Sequence, residues 1–168
     1  MIKTLPPKRK LEAMYRDLGR IIVNWGLAEQ GLESCISLLF HQGGGKATKH
    51  GRRGLPRSLT SKTGFIKDCV RDIPGLAPFR KEGRELAIAM DDFSRFRDSL
   101  VHGVVSSYDT THRTVCFRSL EIDRQRNVHR ENERWIALAE IRRAGPHASR
   151  ICNWVADYAR RLADALIA

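Results

Sequence analysis

The segment at residues 93–103 places a large cation on an apolar helix face and carries a histidine next to its last residue: Phe93-Ser94-Arg95-Phe96-Arg97-Asp98-Ser99-Leu100-Val101-His102-Gly103. Around it, apolar residues recur at spacings of three and four, which predicts one face of an α-helix. These residues are Leu86, Met90, Phe93, Leu100 and Val104. Arg97 falls on the same face. A guanidinium there needs a carboxylate, a phosphate or a partner surface, because burial of an unpaired charge is costly.

The spacing within this segment predicts where its polar side chains lie relative to one another around the helix. Asp98 and His102 are four residues apart and are therefore neighbours on a helix, so we expect the carboxylate to orient the imidazole. Arg97 and His102 are five residues apart, about 140° around a helix of 3.6 residues per turn, and would flank a groove. The alternative is a surface arginine and a histidine that caps the helix C-terminus, where a cation interacts well with the helix dipole.

Arg97-Asp98-Ser99-Leu100-Val101-His102 resembles the Arg-x4-His signature of HEPN domains. Arg97 matches the arginine of that signature, Asp98 its polar follower and His102 its histidine. Asparagine is the commoner follower, so Asp98 departs from the pattern and leaves open whether it orients His102 or only caps it. We expect Ser99 and Arg95 to support the site.

The resemblance implies a dimeric helical bundle that is a metal-independent endoribonuclease, with Arg97, Asp98 and His102 as catalytic residues. RNA would be cleaved by 2′-OH attack in a site shared by two protomers, as in a toxin or defence effector with an antitoxin or other partner protein. The first alternative is a catalytically inactive HEPN-like module that binds RNA or a protein. The second is a basic helical DNA-binding protein that owes nothing to the motif.

The composition supports a polyanionic partner. The chain has 168 residues and a formal net charge of +11, which favours nucleic acid or an anionic membrane surface. No run of about 18 apolar residues occurs, so neither a membrane span nor a secretion signal is predicted, and we expect a cytoplasmic protein. The four cysteines are far apart in the sequence and predict neither a metal site nor disulfides; they are Cys35, Cys69, Cys116 and Cys152. No cofactor is indicated.

The N-terminal half predicts a long helix after the arm that ends at Pro6-Pro7. Its apolar residues keep helical spacing from Leu11 to Leu39, as one helix or as two broken near Gly26 or Gly31. Glu29 lies on the apolar face, so we expect it to pair with Arg97. The alternative is that Glu29 lies at the edge of that face and reaches water.

A basic loop follows this helix. Its cations, uninterrupted by any acid, are Lys46, Lys49, Arg52, Arg53 and Arg57. The pattern does not fit a Walker-type loop, because Phe40 and Ala47 stand where that loop needs glycine and a hydroxyl residue. We therefore predict a mobile loop that neutralises a nucleic-acid backbone. The alternative is a solvated loop with no partner.

The remainder predicts a mainly α fold, an antiparallel bundle of about four main helices in a single domain over residues 1–168. The second helix carries Leu59 to Val70, and the third runs from about Phe79 to Val104 or Val105. A β-hairpin at about 113–138 is predicted from the β-branched and aromatic residues of 114–122. The last helix is expected to begin at Pro146.

Overall fold

The structure is a computed structural model that describes residues 5–123 and 128–167, with side chains described outside residues 121–129. It contains four α-helices: α1 (Lys8–His41), α2 (Leu59–Asp72), α3 (Arg80–Val101) and α4 (Leu138–Ile167). Three antiparallel strands lie between α3 and α4 in the chain: β1 (Val104–Asp109), β2 (Thr114–Asp123) and β3 (Val128–Ala137). The predicted mainly α class with a β-hairpin before the last helix is confirmed. Positions 124–127 of the predicted hairpin tip lie outside the described residues.

The chain divides into two compact units. The sheet unit comprises Met1–Val23 and Arg95–His147, and the helical unit comprises Asn24–Ser94 and Ala148–Ala168. The predicted single domain stays a prediction. No helix in the described ranges is long and apolar enough to cross a membrane.

The sheet unit is built around a meander in the order β1-β2-β3. Alternate residues of the strands point to opposite faces, and Val115, Phe117 and Ile136 are buried. On the outward side Arg118 stands opposite Glu133 and donates to its carboxylate over 2.8 Å. Opposite charges that face each other across two strands stabilise the pairing of β2 with β3.

The junction of α3 and β1 differs from the predicted helix end at Val104 or Val105. The helix ends at Val101, and Val104 and Val105 instead pair with Arg118 and Phe117 of β2. Gly103 makes the close approach possible, since a Cβ at that position would lie 2.8 Å from Cβ of Phe117. The sheet therefore has a third strand. Val104 and Val105 keep the helical spacing, but valine is β-branched and is more stable in a paired strand than in a helix.

Helix α4 begins at Leu138, eight residues before the predicted start, so Pro146 lies inside the helix. Proline removes one helical hydrogen bond, and its ring clashes with the Cβ of the residue before it. Gly145 has no Cβ, which relieves that second clash and lets the residue before the proline keep a helical conformation. Gly145 is also buried, and a Cβ added there would lie 3.8 Å from Cβ of Arg20, an ordinary contact distance.

The helical unit has an apolar core contributed by all four helices. Trp25 of α1 stacks against Phe93 of α3, with ring centroids 5.5 Å apart. The helix predicted from Leu11 to Leu39 is unbroken, and Gly31 faces Val155 of α4. Glu82 accepts hydrogen bonds from Arg161 at 2.5 Å and Trp154 at 2.8 Å. The Arg161 hydrogen bond holds the pKa of Glu82 below its usual value, against the opposing effect of burial.

The four cysteines are free thiols. Cys35 and Cys69 are fully buried in the helical unit, and burial raises the pKa of each to about 12. Both are therefore protonated at neutral pH and unreactive.

Candidate functional site

The motif predicted as catalytic lies at the C-terminal end of α3, in the sheet unit. His102 is the first residue after the helix, and its backbone N–H donates to the carbonyl of Asp98 over 3.0 Å. The imidazole is exposed, and within the part of the chain that the structure describes it has no hydrogen-bond partner. An exposed imidazole at a helix end is accessible to a ligand.

Arg97 is held beside its neighbour in sequence. Its Nη1 donates to Oδ1 of Asp98 over 2.9 Å, and the Arg97 side chain is 24% exposed against 55% for Asp98. Nε of Arg97 is buried and has no hydrogen-bond partner among the described residues. The guanidinium therefore keeps one donor unsatisfied, while the carboxylate expected to orient His102 instead pairs with Arg97.

The supporting residues of the motif occupy different positions. Ser99 donates its hydroxyl hydrogen to the backbone carbonyl of Arg95 over 3.0 Å. The side chain of Arg95 is exposed. Glu29 belongs to the helical unit and is half-buried, and its expected ion pair with Arg97 stays a prediction.

A second guanidinium at the motif was missed by sequence reasoning. Arg134 of β3 donates to Oγ of Ser99 over 2.5 Å and lies 5.8 Å from the ring centroid of Phe96. The ring face attracts the cation, and the hydroxyl fixes its position. Arg134 is 35 residues from Ser99 in the chain, and the pairing of β1 with β2 and of β2 with β3 brings it to the end of α3. The sequence offered no signal for it beyond its place in the predicted hairpin.

The basic loop in the helical unit is folded by its own polar contacts. It contains two short 3₁₀ helices, Gly45–Ala47 and Gly51–Arg53. The hydroxyl of Thr48 donates to the carbonyl of Gly45 over 2.7 Å and accepts from the backbone N–H of Gly51 over 3.2 Å. This pair of bonds links the two 3₁₀ helices of the loop, and the predicted mobility of the loop stays a prediction.

An aspartate of α2 anchors the same loop. Nδ1 of His50 lies 2.7 Å from Oδ2 of Asp68, and Arg71 donates to the other oxygen over 2.8 Å. Burial acts to raise the pKa of Asp68, but the hydrogen bonds from His50 and the charge of Arg71 outweigh it and lower that pKa. Asp68 is thus a charged carboxylate that fixes the loop to the helix.

The predicted nucleic-acid-binding side chains project from this anchored loop. All five are exposed: Lys46, Lys49, Arg52, Arg53 and Arg57. Arg52 donates from Nε to the carbonyl of Ala47 over 3.0 Å, and Lys49, Arg52 and Arg53 line a depression of about 560 Å³. The arrangement presents several cations to one anionic chain.

The described residues contain no group of three or more His, Cys, Asp or Glu side chains placed to hold a metal ion. No protein-family model, curated protein or solved structure matches the chain.

Proposed function

We propose that the protein is a metal-independent endoribonuclease of HEPN type, with a toxin or defence role. The observation that carries the proposal is the half-buried guanidinium of Arg97 followed by the exposed imidazole of His102 at one helix end. Arg134 adds a second guanidinium beside Ser99. A guanidinium and an accessible imidazole are groups that metal-free RNA cleavage can use, the first for phosphate charge and the second for proton transfer.

The chemistry uses a nucleophile that RNA itself supplies. A base removes the proton of the 2′-OH, whose oxygen attacks the adjacent phosphorus, and an acid protonates the departing 5′-oxygen. The products are a 2′,3′-cyclic phosphate and a 5′-OH. Arg97 binds the phosphate oxygens, where negative charge develops in the transition state, with a bidentate geometry that lysine lacks.

Base and acid are assigned to two copies of one residue. Each chain contributes one motif histidine, so His102 and its symmetry mate in a C2 homodimer would share the two proton transfers. The cations of the basic loop, among them Lys49 and Arg53, would hold the RNA backbone without reading its sequence.

The test is cleavage of mixed RNA in the presence of EDTA. We expect His102→Ala and Arg97→Ala each to lower the rate by about a hundredfold or more, since each removes a group that acts in the transition state. The matched controls are His41→Ala and Arg84→Ala, which change exposed residues of the same types. Cleavage that is unchanged in His102→Ala, or lost equally in His41→Ala, would contradict the proposal.

A mixing experiment tests the shared site. Wild-type protein is combined with His102→Ala protein in varying proportion and allowed to exchange subunits. If both histidines are needed, a mixed dimer is inactive and the rate falls with the square of the wild-type fraction. A linear fall would assign the whole reaction to one chain.

The pairing of Asp98 with Arg97 favours a second candidate, a catalytically inactive module that binds RNA. In that case the aspartate neutralises part of the guanidinium charge, and no RNA is cleaved at any protein concentration. Arg97→Ala would still weaken RNA binding, whereas Arg84→Ala would not.

A further inference from the structure

A cationic cleft lies in the sheet unit, separate from the motif. Its walls are the start of α1, the turn between β1 and β2, and the start of α4, and its volume is about 670 Å³. The motif lies just before β1, which begins at Val104, and the cleft adjoins the turn just after β1, which ends at Asp109. The strand separates the two by roughly 17 Å, at about 3.3 Å per residue.

Cations dominate the rim of this cleft. Its lining includes Lys10, Arg113, Arg142 and Arg143, against the single carboxylate of Asp17. Three positive charges are therefore unbalanced. Within the described ranges the side chains of Arg142 and Arg143 make no ion pair or hydrogen bond, so their guanidinium groups are available to a ligand.

The backbone at Arg113 is unusual. Arg113 has φ of +52°, and it alone among the described non-glycine residues has positive φ. Its carbonyl accepts a hydrogen bond from the N–H of Leu138, the first residue of α4, over 3.0 Å. Arg113 thus lines the cleft from a backbone conformation that favours glycine, and such local strain is concentrated at binding sites.

The floor of the cleft is apolar. Met14 and Ile141, both almost fully buried, contribute to it together with Leu138. The volume falls in the range of about 300–1,000 Å³ that is usual for small-ligand sites, in which an apolar surface accompanies a few polar groups. A ligand that fits has a multiply charged anionic end and an uncharged organic part.

We propose that the cleft binds a nucleoside phosphate, with the phosphate on Arg113, Arg142 and Arg143 and the nucleoside over Met14 and Ile141. A phosphate monoester carries about 1.5 to 2 negative charges at neutral pH and accepts several hydrogen bonds, which matches the rim better than one carboxylate does. The same chemistry occurs in a free mononucleotide and in the phosphorylated end of an RNA strand. The proposal does not depend on ribonuclease activity at Arg97 and His102.

The experiment measures binding of UMP to the full chain by calorimetry and by amide chemical shifts. Uridine, inorganic phosphate and decanoate are the comparison ligands. The variants are Arg142→Ala/Arg143→Ala and Arg113→Gly, the second of which suits a positive φ and leaves the turn unstrained. The matched control is Arg9→Ala/Arg16→Ala, which removes two exposed arginines of α1 that do not line the cleft.

We expect saturable UMP binding, with shifts centred on residues 112–113 and 138–143. The affinity should fall about tenfold or more in Arg142→Ala/Arg143→Ala and in Arg113→Gly, and less than about twofold in the control, since a charge-assisted hydrogen bond is lost in each cleft variant. A lack of saturable binding at millimolar UMP, equal loss in the control, or binding of uridine or decanoate as tight as that of UMP would overturn the proposal.

Two oligoribonucleotides of one sequence distinguish the sources of the ligand. Tighter binding of the 5′-phosphorylated strand than of the 5′-hydroxyl strand, abolished in Arg142→Ala/Arg143→Ala, identifies an RNA end. Equal binding of the two strands, with UMP binding retained, identifies a free nucleotide.

Discussion

Nη1 of Arg97 donates a hydrogen bond to the carboxylate of Asp98 over 2.9 Å. The carboxylate thus competes with any phosphate for the guanidinium. An exposed ion pair of this kind contributes about 0.2–1 kcal/mol, because water screens it. If RNA binds at this site as proposed, Asp98 would therefore lower the affinity of Arg97 for the phosphates without preventing binding.

We expect Asp98→Asn to increase RNA affinity by up to about fivefold, because the amide attracts the guanidinium less strongly than the carboxylate does. The measurement is the dissociation constant for single-stranded RNA. Asp92→Asn, an equal change of charge at an exposed position of the same helix, is the control. An equal gain in both variants would mean that only net charge matters.

The basic loop predicts a specific salt dependence. Lys49→Ala/Arg53→Ala should lower the slope of log affinity against log salt by about 1.4, since each phosphate contact on a single strand contributes about 0.7. The control is Lys81→Ala/Arg84→Ala, two exposed cations of α3. An equal change of slope in the control would contradict the proposed contact between the loop and RNA.

Alanine substitutions at two glycines of α1 are expected to change stability differently. A Cβ on Gly26 meets nothing within 4 Å, so Gly26→Ala should raise the free energy of unfolding by about 0.5–1 kcal/mol through helix propensity. A Cβ on Gly31 would lie 2.9 Å from Cγ1 of the buried Val155, so overpacking should cancel or exceed that gain in Gly31→Ala. Chemical denaturation measures both, and stabilisation of equal size would contradict the packing.

The basic loop depends on a glycine at its second turn. A Cβ on Gly51 would lie 1.9 Å from the carbonyl oxygen of Gly45, so Gly51→Ala must displace the backbone. We expect a loss of about 2 kcal/mol or more in the free energy of unfolding, together with changed amide shifts in the loop. Gly75→Ala, where a Cβ has open space, is the control and should stay within about 1 kcal/mol of wild type.

The anchor at Asp68 predicts a dependence on pH. The folded-state pKa of Asp68 lies below its ordinary value of 3.8, so its contribution is fully present above that pH and is lost as pH falls through the folded pKa. Its side chain is 7% exposed. Asp68→Asn should therefore lower the free energy of unfolding at neutral pH by about 1–3 kcal/mol.

Denaturation at a series of pH values checks this expectation. The difference between wild type and Asp68→Asn should shrink on acidification, because the wild-type carboxylate becomes neutral like the amide. Asp164→Asn, at a position 71% exposed, should show little difference at any pH. A gap that stays constant down to acid pH would mean that Asp68 acts through its shape and not its charge.

Sequence periodicity predicted the helices well and their ends poorly. The spacing from Leu11 to Leu39 predicted helix throughout, because apolar residues three and four apart share one face, but it left open a break near Gly26 or Gly31, and the structure shows one continuous helix. The end of α3 was placed too late because Val104 and Val105 continue the helical spacing, and only their pairing with β2 assigns them to a strand. The start of α4 was predicted too late, at Pro146, because a proline usually lies in the first turn of a helix. The structure places it inside α4, after a glycine that has no Cβ to clash with the ring.

The sequence by itself determined the helical faces, the net charge of +11, the order of the cations in the basic loop and the spacing of Arg97 and His102. Each of these follows from neighbours in the chain, whose relations a regular helix or a short loop repeats. Tertiary structure alone decided that Arg134 reaches Ser99 and that Lys10, Arg113 and Arg142 surround one cleft. Those contacts join residues far apart in the sequence, and strand register and helix packing, which no local pattern encodes, bring them together.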